Sequence, residues 1–213
     1  MTFNKFLEKN IRYIYPFQQL SVEMELYPLQ QEVVDLIDQN DTFNIIYKRR
    51  QEGISTAISL YVIWKMIENP GISIATFSNR IDSIIIKRIL SYNMKILNVE
   101  KDSKTNTVLK NKSSVYYYSF NSTNDYRIRG RMFDIIILED FFENLKKYSD
   151  AHNFISYASR CLPINGKMII STQEIPICEQ EKLNELLYVQ EIYGGFFNGK
   201  RKVLIEKFKH KKS

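Results

Sequence analysis

The sequence predicts an α/β fold with a mainly parallel central sheet flanked by helices. Two apolar strands, 43–47 and 72–77, are each followed by a helical segment, and this alternation is typical of parallel sheets with right-handed crossovers. Two later segments, 133–138 and 167–171, are apolar almost throughout, which indicates strands buried on both faces.

Helical periodicity predicts the helices that cover this sheet. One helix begins near Pro28, because proline is favoured in a first helical turn. The segment 55–68 is apolar on nearly every side, as expected of a helix packed against a sheet. A third helix is expected from about Asn79 to Ile96. Its predicted apolar face consists of Ile81, Ile85, Ile89, Tyr92 and Ile96.

The core also contains elements outside this alternation. Segments 105–109 and 114–120 predict a small antiparallel hairpin, and one or two helices are expected over 142–161. The first 25 residues predict a short helix and then an irregular aromatic segment. The chain is therefore predicted to have three parts, which are an N-terminal segment (1–25), a core (26–175) and a C-terminal helix, hairpin and basic tail (176–213).

Composition limits the class of protein. The net charge of +6 and the pI of about 9.1 favour a polyanionic partner. Two cysteines and two histidines are too few for a disulfide framework or a zinc site, so we expect a reducing intracellular compartment. No apolar run is long enough to span a membrane, and the charged, aromatic first 17 residues do not form a signal peptide.

A phosphate-binding loop is predicted where the first strand meets its helix. The strand runs into the basic turn Lys48-Arg49-Arg50-Gln51-Glu52-Gly53, and Ile54-Ser55-Thr56 opens the helix. The first amides of a helix have no intrahelical acceptor and lie at the positive end of its dipole, so this place suits an anion. The common pattern with lysine directly before the serine is not met, because Ile54 stands there.

Paired carboxylates, Glu139 and Asp140, follow the apolar strand. In open parallel sheets ligands bind at the carboxyl ends of the strands, where one acid could hold Mg²⁺ and a second could polarise an attacking water. The alternative is an ordinary helix start, because acidic side chains also favour a first helical turn.

Two further patterns are weaker. Ser171 and Thr172 end a strand and could sense a γ-phosphate between the first strand and the acid-bearing strand, although such residues often only cap turns. Tyr27 and Gln30 precede the first strand, where an amide could bind an adenine edge and a ring could stack on it. A solvated glutamine at a helix start is the alternative for Gln30.

Three arginines alternate just before the acid-bearing strand: Arg127, Arg129 and Arg131. In an extended segment they share one side and could contact DNA phosphates or a neighbouring copy's nucleotide. Pairing with nearby acidic side chains is the alternative.

In this order, these patterns resemble the ATPase domain of the large terminase subunit, the motor that packages DNA into the capsids of tailed phages and related viruses. The resemblance covers roughly residues 25–175. It is carried by Tyr27-Pro28-Leu29-Gln30, Lys48 to Thr56, Arg127 to Arg131, Phe133 to Asp140 and Ile170-Ser171-Thr172. Its most specific piece is the loop 50–56, because related loops often place the lysine at the front, where Lys48 stands.

The resemblance implies an ASCE-type P-loop ATPase that uses ATP and Mg²⁺. Lys48 would neutralise the β- and γ-phosphates, Ser55 or Thr56 would bind Mg²⁺ together with Glu139, and Asp140 would activate water. Arg50 could act in cis on transition-state charge, and Ser171 and Thr172 would couple hydrolysis to movement. The nucleotide-binding set would be Tyr27, Gln30, Lys48, Arg49, Arg50, Gln51, Glu52, Gly53, Ile54, Ser55 and Thr56.

The resemblance also implies partners: double-stranded DNA, a portal ring, a small terminase subunit and further copies of the chain, in the cytoplasm of a bacteriophage's host cell. Large terminases usually add a nuclease domain of the RNase H type. About 40 residues follow Gln173, too few for that domain, so no nuclease activity is expected in this chain.

Two departures from the family pattern bear on hydrolysis. The acid pair is Glu-Asp instead of the usual Asp-Glu, which makes Asp140 one methylene shorter than the usual base. Glu52 places an anion beside the triphosphate site. A non-catalytic P-loop relic that binds DNA or has a structural role therefore stays open. A helicase-like ATPase is a further alternative, although its loop normally keeps lysine before the serine or threonine.

Overall fold

The computed structural model describes residues 1–9, 11–14, 21–39, 43–48, 52–79, 84–120, 128, 130–144 and 151–173. Within them, the helices are α1 (Phe3–Leu7), α2 (Pro28–Gln39), α3 (Ile54–Glu68), α4 (Ile85–Tyr92), α5 (Phe141–Asn144) and α6 (Ala151–Ser159). The strands are β1 (Arg12–Ile14), β2 (Ser21–Glu23), β3 (Phe43–Tyr47), β4 (Ser73–Ser78), β5 (Val99–Asp102), β6 (Asn106–Leu109), β7 (Ser114–Ser119), β8 (Ile135–Leu138) and β9 (Lys167–Thr172).

A seven-stranded sheet organises the described residues, in the order β3-β9-β8-β4-β7-β6-β5. The five strands from β3 to β7 in this order are parallel, and β6 and β5 extend the sheet with antiparallel pairs. The predicted fold class, a mainly parallel sheet flanked by helices and extended by a hairpin, is confirmed. The strand β9 lies between β3 and the acid-bearing β8, as the order of the patterns predicts.

The core lies on both faces of this sheet, because successive side chains of a strand point to opposite faces. Ile135 and Ile137 of β8 belong to the apolar cluster that contains α2, α3 and α4. Ile136 and Leu138 belong to the second cluster, which contains α5 and α6. The strand β8 is therefore buried on both faces. The two carboxylates that follow it, those of Glu139 and Asp140, lie at the carboxyl end of this strand.

The third predicted helix is wrong in its length and only partly correct in its face: Ile89 is buried and Ile85 packs against the core, as predicted, and Ile81 lies outside the described residues. The helix α4 covers Ile85–Tyr92, and its buried side chains are Ile86, Ile89 and Leu90, whereas Tyr92 and Ile96 are 46% and 43% exposed. Three consecutive isoleucines, 84–86, allow more than one apolar face, so periodicity alone did not determine the rotation of the helix.

Two other parts differ from the prediction. Residues 12–14 and 21–23 form an antiparallel pair, β1 with β2, where an irregular segment was expected. The side chain of Asn93 holds β1, since it accepts from the Arg12 amide at 2.9 Å and donates to the Arg12 carbonyl at 2.7 Å. The predicted hairpin has a third strand, β5, whose charged sequence Val-Glu-Lys-Asp carries no apolar signal.

Some predictions lie outside the described residues. They include the C-terminal helix near 179–188 and the hairpin and basic tail that follow it. The boundaries of the three predicted parts stay predictions. None of the described helices has the length and hydropathy needed to cross a membrane.

Candidate nucleotide-binding site

The carboxyl ends of three parallel strands meet at one edge of the sheet. Tyr47, the last residue of β3, pairs with Thr172 of β9, and Leu138 of β8 pairs with Ile170. The residue that follows each strand end therefore reaches the same place, and ligands bind at such an edge. The structure brings together Lys48, Glu139, Asp140, Ser171 and Thr172, which the sequence assigned to one site.

Lys48 lies at the centre of this site. Its Nζ donates to Ser55 Oγ over 2.5 Å and lies 2.7 Å from Asp140 Oδ1, while only 9% of its side chain is exposed. Its backbone amide donates to the Thr172 carbonyl at 2.9 Å, so β9 holds the start of the loop. The lysine at the front of the turn thus contacts the serine that opens α3 and the second acid after β8.

Gly53 sets the geometry at the start of α3. Its φ is +69°, a left-handed conformation that favours glycine, and it precedes the first helical residue. Without a side chain, Gly53 cannot cap the helix as serine or aspartate would, so the first-turn amides receive no side-chain acceptor from it. These amides and the helix dipole favour an anion at this place.

Gln30 braces the loop from α2. Its side-chain oxygen accepts from the Tyr27 amide at 3.1 Å, and its Nε2 donates to the Glu52 carbonyl at 3.0 Å. The residue is 6% exposed, and a Cβ added to Gly53 would lie 2.1 Å from Gln30 Nε2. The side-chain amide of Gln30, which was predicted to bind an adenine edge, therefore already has protein hydrogen-bond partners for both its oxygen and its nitrogen. Tyr27 is 73% exposed, which leaves its ring accessible for stacking.

The carboxyl of Glu139 lies close to Lys48, Ser55 and Arg88. Burial raises the pKa of this carboxyl, and the Lys48 ammonium, the Ser55 hydroxyl hydrogen bond and the Arg88 guanidinium act against that rise. Glu139 lines a small internal cavity together with Ser55, Thr76 and Ser171. Arg88 comes from α4, and sequence reasoning, which placed it away from the apolar face, did not connect it with the site.

Asp140 has a left-handed backbone conformation, which aspartate adopts more readily than most other residues do. Its φ is +48°, in the left-handed region, where aspartate is several-fold enriched over other non-glycine residues. Its amide lies 3.3 Å from Ser171 Oγ, which ties the acid turn to β9. This turn directs the Asp140 side chain towards Lys48, whereas Glu139 lines the small cavity.

These residues fit a magnesium ion. Ser55 and Glu139 line the same small cavity, and the Ser55 hydroxyl acts to lower the pKa of the Glu139 carboxyl. A hydroxyl and a carboxylate, the oxygen ligands that Mg²⁺ takes in phosphate sites, are therefore already close together. Within the described residues there is no cluster of three or more histidine, cysteine or acidic side chains. A cation here would therefore depend on phosphate and water oxygens for its other ligands.

Glu143 of α5 is a contact that sequence reasoning missed. Its Oε1 accepts from Thr172 Oγ1 at 2.8 Å and also from the Gln173 amide. No sequence pattern pointed to it, because a glutamate three residues after an acid pair is an ordinary helix residue.

The remaining predicted residues have varied positions. The Ile54 side chain is 3% exposed and packs in the core, so only its backbone faces the loop. The Arg131 guanidinium lies over the Tyr116 ring, with 5.0 Å between Cζ and the ring centre. Outside the described residues lie Arg49, Arg50, Gln51, Arg127 and Arg129.

Comparison with solved structures identifies the fold. The ATPase domain of the large terminase of Thermus phage P74-26 superimposes with a TM-score of 0.52 and 16% identity, over 74% of this chain and 68% of that domain. The HK97 bacteriophage large terminase gives a TM-score of 0.56 and 17% identity, over 81% of this chain and 38% of that chain. The large terminase of a thermophilic bacteriophage gives a TM-score of 0.54 and 14% identity, over 79% of this chain and 44% of that chain.

The chain therefore has the P-loop NTPase-like fold of phage large terminase ATPase domains. It spans less than half the length of the HK97 chain and of the chain from the thermophilic bacteriophage. No protein-family model and no curated protein matches the sequence.

Proposed function

We propose that the chain is the ATPase domain of a terminase large subunit, which hydrolyses ATP with Mg²⁺ to drive double-stranded DNA into a viral procapsid. The observation that carries the proposal is the position of Lys48 Nζ, between Ser55 Oγ at 2.5 Å and Asp140 Oδ1 at 2.7 Å. The Lys48 ammonium lies between the helix-opening serine and the acid that follows β8, two strands away from β3 in the sheet. A triphosphate and its metal need charge neutralisation at such a place.

In this proposal each residue acts by position and charge. The first-turn amides of α3 and Lys48 bind the phosphate oxygens, and Ser55 and Glu139 would hold Mg²⁺, which would neutralise phosphate charge. Asp140 accepts a proton from the water that attacks the γ-phosphorus, the bond from this phosphorus to the bridging oxygen breaks, and ADP and inorganic phosphate are the products. Since Asp140 pairs with Lys48, the phosphates replace it there before it can face the water.

The nucleotide and the partners follow from the same proposal. The large terminase of the thermophilic bacteriophage was also solved in complex with ADP, and the exposed Tyr27 ring beside the loop suits a base. The partners proposed are double-stranded DNA, a portal ring, a small terminase subunit and further copies of the chain in the host cytoplasm. The net charge of +6 favours the polyanion among them.

The test is steady-state ATP hydrolysis with and without duplex DNA, in wild-type protein, Lys48→Ala and Lys112→Ala. Lys112 also pairs with a carboxylate, that of Glu100 at 2.9 Å, but it lies in the turn between β6 and β7 and its side chain is 71% exposed. We expect Mg²⁺-dependent turnover that Lys48→Ala reduces by about 10³-fold or more, and that Lys112→Ala leaves unchanged. Equal turnover in all three proteins would contradict the proposal.

A non-catalytic nucleotide-binding protein is the second candidate. The ion pair between Lys48 and Asp140 favours it, because the expected base is held away from a water by the loop cation. Mg·ATP binding without turnover, with and without DNA, would support this candidate over the ATPase. The absence of both binding and turnover would exclude the proposed function and this candidate together.

A further inference from the structure

We infer that Glu143 is a positioning residue that clamps the end of β9 to α5, the helix that directly follows the acid pair, and so couples the phosphate loop to α5. The catalytic consequence rests on the proposed function, whereas the clamp itself does not. The inference comes from a closed path of contacts around the site, in which Glu143 provides one connection.

The first link joins Glu143 to the end of β9. One carboxylate oxygen, Oε1, accepts from both the Thr172 hydroxyl, at 2.8 Å, and the Gln173 amide. Thr172 is fully buried, so its hydrogen bond to Glu143 lies away from solvent. A charged acceptor that holds two donors from adjacent residues fixes the direction in which the chain leaves the strand.

The second link fixes Glu143 to the acid pair. The helix α5 starts directly after Asp140, and its first two residues, Phe141 and Phe142, are buried in the core. The Asn144 amide donates to the Asp140 carbonyl at 3.1 Å, and Asn144 Nδ2 donates to the Glu139 carbonyl at 3.3 Å. A displacement of Glu143 is therefore shared with the acid turn.

The third link returns to the loop. The carbonyl of Thr172 accepts from the Lys48 amide at 2.9 Å, and the side chain of Lys48 reaches Asp140. Thr172 thus touches the loop through its carbonyl and α5 through its hydroxyl. When phosphates replace Asp140 at Lys48, Glu143 and the contact between the Asp140 amide and Ser171 Oγ both still connect β9 to the acid turn.

The role predicts a specific kinetic pattern. Removing the clamp leaves the groups that bind phosphate in place, so KM for ATP stays near the wild-type value. The acid turn loses one of its side-chain connections to β9, so kcat falls by about tenfold, the size expected for a lost charge-assisted hydrogen bond. Glu143→Gln keeps an oxygen that accepts both donors, so it retains most of the wild-type rate.

The experiment measures backbone amide exchange first, in nucleotide-free protein. We expect Glu143→Ala to speed exchange at the Gln173, Asp140 and Lys48 amides by about tenfold. Glu143→Gln restores slow exchange, and Glu100→Ala, which removes an exposed carboxylate on the far hairpin, changes none of the three. Unchanged exchange at Asp140 and Lys48 in Glu143→Ala overturns the clamp.

Steady-state kinetics on the same variants gives the second measurement. A lower kcat at constant KM in Glu143→Ala, rescued by Glu143→Gln, supports the coupling role. An equal fall in the glutamine variant, or a rise in KM alone, overturns that role. If the wild-type protein has no turnover, the proposed function fails, but the exchange measurement still decides whether the clamp exists.

Discussion

The Lys48 ammonium and the Asp140 carboxylate form an ion pair, with 2.7 Å between Nζ and Oδ1. Asp140 stands where the proposed function needs a base, so the carboxylate that would activate water holds the cation that would bind phosphate. The two partners differ in solvation, because 9% of the Lys48 side chain and 37% of the Asp140 side chain are exposed. When phosphates replace Asp140 at Lys48, water can therefore solvate the released Asp140 carboxylate.

Asp140→Asn is expected to separate binding from hydrolysis. The variant removes the anion that competes with phosphate for Lys48, so Mg·ATP should bind as tightly as in the wild type or a few-fold more tightly, as a partly exposed ion pair is worth about 0.2–1 kcal/mol. It also removes the proposed base, so kcat should fall by about 10²-fold or more. Isothermal titration and single-turnover hydrolysis measure the two effects.

Asp140→Glu provides the comparison that keeps the charge, although glutamate adopts the left-handed φ of +48° less readily than aspartate. Its kcat should lie between that of the wild type and that of Asp140→Asn. Weaker ATP binding in Asp140→Asn, or an unchanged kcat, would show that this carboxylate is neither competitor nor base.

Gly53→Ala is expected to destabilise the protein more than an equivalent change elsewhere. Alanine at a φ of +69° costs about 1–2 kcal/mol, and its Cβ would lie 2.1 Å from Gln30 Nε2, which adds about 1–3 kcal/mol of overpacking. The control is Gly71→Ala, where φ is +81° but no atom lies within 4 Å of the added Cβ. Urea unfolding measures the free-energy difference between the two variants.

A double variant isolates the contact from the backbone strain. Gln30→Ala removes the amide that the new Cβ meets, so adding Gly53→Ala to it should cost about as little as Gly71→Ala does, with a coupling energy of about 1–3 kcal/mol. Strict additivity of the two changes would mean that Gln30 does not occupy the space beside Gly53.

The sequence was sufficient to predict the fold class and the strands that form the site. The segments at β3, β8 and β9 are short, apolar runs that end in polar residues, and burial on both faces leaves little ambiguity about where they end. The role of Lys48 as a displaced phosphate-binding lysine came from the resemblance and stays a prediction, whereas its contact with Ser55 is seen in the structure.

The contacts that define the site were less predictable, because they depend on tertiary placement. Gln30 was predicted as an adenine-binding residue, but its bonds to Tyr27 and Glu52 depend on how closely α2 approaches the loop. Glu143 reaches Thr172 only because α5 starts at the acid turn. The strand β5 was missed since an edge strand with exposed charges has no apolar periodicity.

Glu139→Gln is expected to have two effects. The free energy of unfolding should depend less on pH, and Mg²⁺ should no longer increase the affinity for ATP. Burial raises the pKa of this carboxyl, so the folded protein binds its proton more tightly than the unfolded chain, and stability falls as the pH rises above the ordinary value of 4.5. A neutral amide at this position does not ionise, so the variant does not lose stability in this way as the pH rises. In the metal-free protein, the variant should therefore be at least as stable as the wild type at pH 8.

Thermal unfolding between pH 5 and pH 8, with chelator and then with Mg·ATP, measures both effects of Glu139→Gln. The chelated wild type should lose stability across this range and the variant should lose less. Mg²⁺ should increase the stabilisation by ATP in the wild type only. Glu100→Gln, a change at an exposed carboxylate, serves as the control and should follow the wild type in both respects. A variant that is less stable than the wild type at pH 8 would contradict the argument from burial.

Gln30→Ala is expected to weaken ATP and GTP binding by the same factor. The Gln30 amide is bonded at both ends, to the Tyr27 amide and the Glu52 carbonyl, and the residue is 6% exposed. Its loss loosens the loop that binds the phosphates, which both nucleotides share, by about the 1 kcal/mol of a typical hydrogen bond, or about fivefold in affinity. Titration with both nucleotides measures the ratio, and Gln31→Ala, which breaks only an exposed bond to Asp35 on the same helix, is the control. A loss confined to ATP would instead support the adenine contact that the sequence predicts. In that case the bond from Gln30 to Glu52 must open when the nucleotide binds.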